Sequence, residues 1–249
     1  MTLKQRLLGG DMLYGAWSGF ADPQVVQIMG GAGFDFICVD LQHSFNTMAS
    51  LSPLLDGLHK VGSPAAVRVP WNTPDLIMRS LDLGAEVIIV PLVNNAEEAT
   101  IAANACRYAP AGNRSWGPIW RNVRSSVPQP AEGDASATCI AMIETAEGLA
   151  NVDAILAVDG VDGIYIGPND LSLSIGLGRT SYLESDKLRE TILHIIARGK
   201  AAGKLVGIDC GGSEQAHYWR DQGVSFVISA NDSDLLAEAA IAMAKANRA

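Results

Sequence analysis

The chain is short of the residues on which several kinds of protein depend. It has four cysteines, Cys38, Cys106, Cys139 and Cys210, and none stands in a C-x-x-C pair. That spacing argues against a cysteine zinc site. Cys38 and Cys139 lie inside apolar runs, so the thiols read as buried and free, as in a reducing cytoplasm. Basic residues are outnumbered, 18 Lys and Arg against 27 Asp and Glu, for a net charge of −9. Such a balance disfavours nucleic acid or an anionic membrane as a partner, while a single site can still be locally basic. No apolar run approaches the roughly 18 residues that span a bilayer. The N-terminus also lacks the long apolar core of a signal peptide, and the expected setting is cytoplasmic.

What is present is a regular alternation. The 249 residues are 48% hydrophobic, enough to bury a large core. Short apolar runs at 13–17, 36–39, 65–69, 87–90, 138–143, the first half of 162–172, 205–208 and 226–229 read as strands. Helical patterns stand between them at 48–60, 73–83, 96–107, 184–202, 214–222 and 233–246, with a leading helix at 2–8. Asp22-Pro23 caps and opens another, which Gly30-Gly31-Ala32-Gly33 ends. Alternation of this kind calls for parallel pairing with right-handed crossovers. About eight units in a chain of this length predict a single (β/α)8 barrel of parallel strands, the TIM barrel, over residues 1–249. A doubly wound open sheet should carry a dinucleotide fingerprint after its first strand. Gly15-Ala16-Trp17-Ser18-Gly19 lacks that G-x-G-x-x-G spacing. One stretch, 109–137, is too long for an ordinary connection. Its aromatic and basic first half, which includes Ser115, Trp116 and Trp120, suits a substrate wall.

The polar residues that finish strands or follow them are Asp40, Gln42, His43, Arg68, Glu144, Asn169, Asp170 and Asp209. In a barrel all would face one mouth. Glu144 and Asp170 follow successive strands, and two hard oxygen ligands suit Mg²⁺ or Mn²⁺ with water and substrate completing the shell. The same positions suit helix N-caps, and spacing alone leaves both readings open. His43, three residues after Asp40, fits a general base, whereas His59, His194 and His217 read as solvated helix residues. Arg68 in an apolar strand needs an anionic ligand or a salt bridge to Asp40 or Glu144. Lysines fall on helices or near their ends, and Lys204 falls at the wrong end of a strand. Imine chemistry therefore lacks its amine, and carbonyl chemistry would use a metal as Lewis acid.

These residues fall into a recognisable set: Gly33-Phe34-Asp35-Phe36, Asp40-x-x-His43, Val67-Arg68-Val69-Pro70-Trp71, Leu81-Asp82-Leu83-Gly84-Ala85, Ile143-Glu144-Thr145 and Gly167-Pro168-Asn169-Asp170-Leu171-Ser172. Across essentially the whole chain the pattern resembles the metal-dependent (class II) pyruvate aldolases that include 4-hydroxy-2-oxoheptanedioate aldolase. The resemblance implies a barrel lyase that makes and cleaves C–C bonds between a 2-oxo acid and an aldehyde. It implies Glu144 and Asp170 as ligands of a divalent metal, Mg²⁺, Mn²⁺ or Co²⁺. It implies His43 as base, made more basic by Asp82, Arg68 as stabiliser of the enolate, and the backbone at Asn169 and Asp170 as a seat for the substrate carboxylate. It also implies a homo-oligomer, a hexamer built from dimers. The last helix would be exchanged or packed at a subunit contact through Leu235, Leu236, Ala239, Ala240 and Met243. The alternative is that this stripe covers the chain's own barrel.

Departures from the commoner pattern narrow the expectation. Gln42 replaces a glutamate, Met142 replaces a glutamine, and Asp209 stands where apolar residues are common. Leu41-Gln42-His43-Ser44, Ala141-Met142-Ile143-Glu144 and Arg114-Ser115-Trp116-Gly117-Pro118 are similar to the hydroxyketoacid branch. Hydroxypyruvate is therefore expected to serve at least as well as pyruvate, its hydroxyl met by Gln42, His43 or Ser115. Asp209 would meet a polar acceptor or cap the next helix. Two other readings use the same barrel. One is a CoA-thioester lyase or an oxo-acid decarboxylase; the CoA enzyme would need a basic strip for the nucleotide phosphates, for which Arg121 and Arg124 are the candidates. A non-catalytic phosphate-binding barrel would use Gly211-Gly212.

Overall fold

Two interleaved sets of side chains explain why the strands close on themselves. Successive side chains of a strand point to opposite faces. Leu13, Trp17, Phe36, Cys38, Ala66, Val87, Ile89, Ile140, Met142, Tyr165, Leu205, Phe226 and Ile228 form one buried cluster, the inner one. The alternate residues, among them Ala16, Ile37, Val67, Ile88, Cys139, Ile164 and Val206, join the larger cluster that packs against the helices. A strand apolar on both faces has to be covered on both, which is the condition for a parallel barrel.

The computed structural model describes residues 1–119 and 129–248. Its strands are β1 (Leu13–Ser18), β2 (Phe36–Asp40), β3 (Ala65–Arg68), β4 (Val87–Val90), β5 (Thr138–Ile143), β6 (Gly163–Ile166), β7 (Leu205–Asp209) and β8 (Phe226–Asn231). Each pairs in parallel with the next, and β8 pairs with β1 to close the barrel. The expected (β/α)8 architecture is present and the open sheet is excluded. Gly15 and Gly207 belong to the inner set; a Cβ at either would overlap the ring of Phe36 or Phe226. Those two rings meet edge to face, with centroids 6.0 Å apart, in the space the glycines leave.

The helix Leu3–Leu8 closes the N-terminal end of the barrel. Thr2 and Gln5 form a capping box at its start. Leu3 and Leu7 enter the inner cluster. Acids just before three strands hold the helix in place. Glu86 accepts from the Leu3 N–H at 2.8 Å, Asp162 pairs with Lys4 at 2.9 Å, and Asp35 pairs with Arg6 at 2.5 Å.

One stretch differs from expectation, and another decides between two readings. The segment read as irregular contains the helix Pro130–Ser136. The last helix, Asp232–Ala246, is held at its start, where Asp232 accepts N–H bonds from Gly19 and Phe20 at 2.9–3.1 Å. Beyond that it leaves the surface, and Leu235, Leu236, Ile241 and Met243 are exposed. Its apolar stripe does not cover the chain's own barrel. Among the described residues no helix is long and apolar enough to cross a membrane.

Candidate active site

The inward parity of the strands carries past the apolar residues to the C-terminal mouth. On β2 it runs Phe36, Cys38, Asp40; on β3, Ala66, Arg68; on β7, Leu205, Gly207, Asp209. On β5 it runs Ile140, Met142 and, one residue past the strand, Glu144. The fold therefore delivers four polar side chains to one place. Asp40, Arg68 and Asp209 line a cavity of about 940 Å³ whose wall also includes Trp17, His43, Met142, Tyr165, Gly167, Asn169, Asp170 and Arg179. Glu144 lies buried behind that wall, against the positions of Gly167 and Met142.

Asp40 organises one side. Arg68 Nε and Nη2 donate to its two carboxylate oxygens at 2.8 and 2.7 Å, a fork that fixes the guanidinium plane. The same carboxylate accepts the backbone N–H groups of Gln42 at 3.0 Å and His43 at 3.2 Å. One acid thus sets both the arginine and the loop that presents the imidazole. Burial would lower the Arg68 pKa, but the bonds and charge of Asp40 outweigh it and raise it above its ordinary value. The guanidinium carbon lies 4.5 Å over the Trp17 ring, whose Nε1–H donates to Asp209 Oδ1 at 2.7 Å.

Glu144 stands on another side, 3% exposed. Its Oε1 accepts the Leu92 N–H at 2.8 Å, and Leu92 holds the left-handed backbone, φ 54°, that non-glycine residues seldom adopt. Burial pushes the Glu144 carboxyl up to about 7; the Leu92 bond opposes that, and the negative charge of Asp170 adds to it. Asp170 lies in the first turn of the helix Pro168–Ser174, exposed to the cavity. Gly167 permits the close packing here, since a Cβ would stand 2.5 Å from Met142 Cε and 2.8 Å from Glu144 Oε2. Two neighbouring carboxylates, with no cation paired to either among the described residues, have the charge and the hard oxygen donors that suit a cation. No cluster of three or more His, Cys, Asp or Glu gathers there among the described residues. The donor set therefore fits an ion that keeps most positions for water and substrate oxygens, as Mg²⁺ does, and fits a closed structural zinc site poorly.

The structure brings Asp40, His43, Arg68, Met142, Glu144, Asn169, Asp170 and Asp209 together. Three assigned groups find other surroundings within this chain. Asp82 does not meet His43 within this chain. It ends the helix Pro74–Asp82, which leads into the opposite end of the barrel, and its carboxylate pairs with Arg114 at 2.8 Å. Ser115 and Trp116 lie at that end too: the Ser115 N–H reaches Met78 Sδ at 3.2 Å, and Trp116 packs on Tyr108 with centroids 5.2 Å apart. The physical reason is topological. A segment leaving a helix for the next strand arrives at that strand's N-terminal end, away from the mouth. Gln42 is not part of the cavity wall, and its Oε1 is buried without a hydrogen-bond partner. Trp120, Arg121 and Arg124 lie outside the described residues. Asp209 caps nothing: the helix Ser213–Asp221 begins at Gly212 with no side-chain cap. The Gly211 and Gly212 amides already bond Gln215 Oε1 and the Ser229 carbonyl, at 2.9 and 3.0 Å, so the phosphate reading loses its donors. Trp17 and Arg179 were missed as site residues. Trp17 shares the inward parity of Leu13 and Gly15, a signal legible in the sequence; Arg179, in a loop, has no such signal.

Residues 13–239 match the HpcH/HpaI aldolase/citrate lyase family. The chain belongs to this family. It is 40% identical over 207 residues to a hydroxypyruvate/pyruvate aldolase of Rhizorhabdus wittichii, covering 83% of this chain and 82% of that one. It is 38% identical over 232 residues to a 5-keto-4-deoxy-D-glucarate aldolase of Salmonella paratyphi C, covering 92% and 90%. A crystal structure of an HpcH/HpaI aldolase/citrate lyase family protein from Burkholderia cenocepacia superposes with a TM-score of 0.90 at 28% identity, over 99% of both chains. As a member of the HpcH/HpaI family, this chain is an enzyme, a carbon–carbon lyase.

Proposed function

We propose that this lyase is a divalent-metal-dependent aldolase that joins a 2-oxo acid donor, hydroxypyruvate or pyruvate, to an aldehyde and reverses the reaction. The observation that carries the reading is the cation-poor pair Glu144 and Asp170 at one mouth, with Asp170 on the wall of a cavity that an arginine held in a fork also lines. Glu144 and Asp170 would hold the metal. When bound, Mg²⁺, Mn²⁺ or Co²⁺ supplies Lewis-acid polarisation of the donor's carbonyl.

The remaining work falls to the protein. The backbone N–H groups of Asn169 and Asp170, in a first helical turn without intrahelical partners, seat the donor carboxylate. His43 removes a proton from the carbon beside the carbonyl. Arg68 faces the charge that then develops on the enolate oxygen, and Asp40 keeps the guanidinium aimed so that no reorganisation is needed. The enolate carbon bonds to the aldehyde carbon, and the proton held on His43 passes to the aldehyde oxygen. Cleavage runs the same path backwards. Met142, inward on β5, walls the donor with an apolar side chain.

The exposed stripe of Asp232–Ala246 supports a homo-oligomer in which this helix packs on another subunit, with the family's hexamer as the expected size. The four buried free thiols support a cytoplasmic setting. Hydroxypyruvate and an aldehyde should condense with the purified enzyme, stop after chelation, and resume when Mg²⁺ or Mn²⁺ is returned. Full turnover in the chelated enzyme would remove the metal from the account.

A further inference from the structure

Asp209 is a carboxylate that the mechanism above leaves unused. It ends β7 on the inward set and stands on the cavity wall. Both of its hydrogen bonds fall on one oxygen: Oδ1 accepts from Trp17 Nε1 at 2.7 Å and from the Tyr165 hydroxyl at 3.4 Å. Oδ2 has no hydrogen-bond partner and Asp209 no ion pair among the described residues. The near cation, Arg68, has Nε and Nη2 committed to Asp40. A secluded carboxylate without a cation is costly, and burial raises the Asp209 pKa above the ordinary carboxylate range. Structural support for Trp17 needs only one oxygen. The fold therefore holds the other ready for something else.

Its place says what. β7 is the neighbour of β6, after which Asp170 stands, and the Trp17 ring joins Asp209 to Arg68 across the wall. A donor held at Asp170 and Arg68 would share its cavity with the wall that Trp17 and Asp209 form. We propose that Asp209 selects the donor: Oδ2 accepts a hydrogen bond from a hydroxyl on the carbon next to the donor's carbonyl, so the site takes 3-hydroxy-2-oxo acids ahead of 2-oxo acids with a bare methyl group. This assignment rests on the aldolase reading. It replaces Gln42 and Ser115, which the structure keeps out of the cavity, as the partner of the hydroxyl.

The test is the ratio of kcat/KM for hydroxypyruvate to that for pyruvate, with one aldehyde and one metal, in wild type, Asp209→Leu and Asp209→Asn. Leucine should lower the ratio about tenfold or more, the scale of one hydrogen bond to a charged group. Asparagine keeps a neutral acceptor and the shape of the side chain, so it should lower the ratio less, by about threefold. A ratio unchanged in both variants, with the two donors losing equal rate, overturns the proposal and leaves Asp209 as a support for Trp17. If the leucine variant does not fold, the asparagine ratio decides in the same way. Wild-type enzyme that turns over neither donor overturns the aldolase reading itself, a different failure from an unmoved ratio.

Discussion

The two ends of the barrel carry similar side chains in opposite states. At the N-terminal end, charge meets charge: Lys4 with Asp162, Arg6 with Asp35, Arg107 with Asp159 and Arg114 with Asp82, at 2.5–2.9 Å. The helix Leu3–Leu8 seals that end with Leu3 and Leu7 in the inner core. At the C-terminal end, Glu144, Asp170 and Asp209 have no cation partner among the described residues, and Arg68, forked on Asp40 through Nε and Nη2, lines the cavity. Paired charge closes one end and spends its attraction within the fold. At the other end burial raises the proton affinity of Glu144 and Asp209. The contrast teaches that the polar residues of one end act on stability and those of the other on chemistry.

Substitutions can break that contrast from either side. The largest effect should come from Glu144→Ala or Asp170→Ala. Each should lower metal-dependent turnover by about a thousandfold or more, while circular dichroism shows the barrel intact; either variant active at saturating metal would dissolve the proposed site. Next is Arg68→Lys, which keeps the charge and loses the planar fork. Turnover should fall by about a hundredfold, as for loss of a donor to a developing oxyanion, with only a small change in Tm. Wild-type turnover would make the Arg68–Asp40 pair purely structural. At the sealed end the effect should change kind. Leu7→Ala removes a buried side chain from the plug and should cost about 2–4 kcal/mol of unfolding free energy, with kcat per folded enzyme preserved. Arg6→Ala should be smallest, about 0.5–1 kcal/mol, because the pair is partly exposed to solvent. A large loss of kcat in either variant would show the two ends to be coupled.

Much of this was legible in the sequence because a strand has a period of two. Asp40, Arg68, Met142, Glu144 and Asp209 stand at even steps from buried inner residues, so parity alone sends them to one mouth of the barrel. Parity also marked Trp17, whose step from Leu13 identifies it. The remainder depends on connections and on packing that no period encodes. Asp82 and the Ser115-Trp116 segment stand near mouth residues in motif but enter the barrel from the other end. The stripe on Asp232–Ala246 announces that something covers it, while only the structure shows that its own barrel does not. The role of Asp209 required knowing which of its oxygens was taken.

The central claim is that the mouth is built to hold a cation, and Mn²⁺ titration of the metal-free protein across pH tests it most directly. Without metal, the Glu144 carboxyl is raised to about 7 from an ordinary 4.5, so below pH 7 a proton competes with the ion. The sign for stability follows. Between 4.5 and 7 the folded metal-free chain keeps a proton that the unfolded chain has released, so its stability falls as pH rises through that window, and bound metal should offset the loss. The account predicts one Mn²⁺ per chain, with affinity rising about tenfold per pH unit up to pH 7 and levelling above it, and with the pH dependence absent in Glu144→Gln. Affinity that is flat from about pH 5.5 to 8, or the same in wild type and Glu144→Gln, would contradict it.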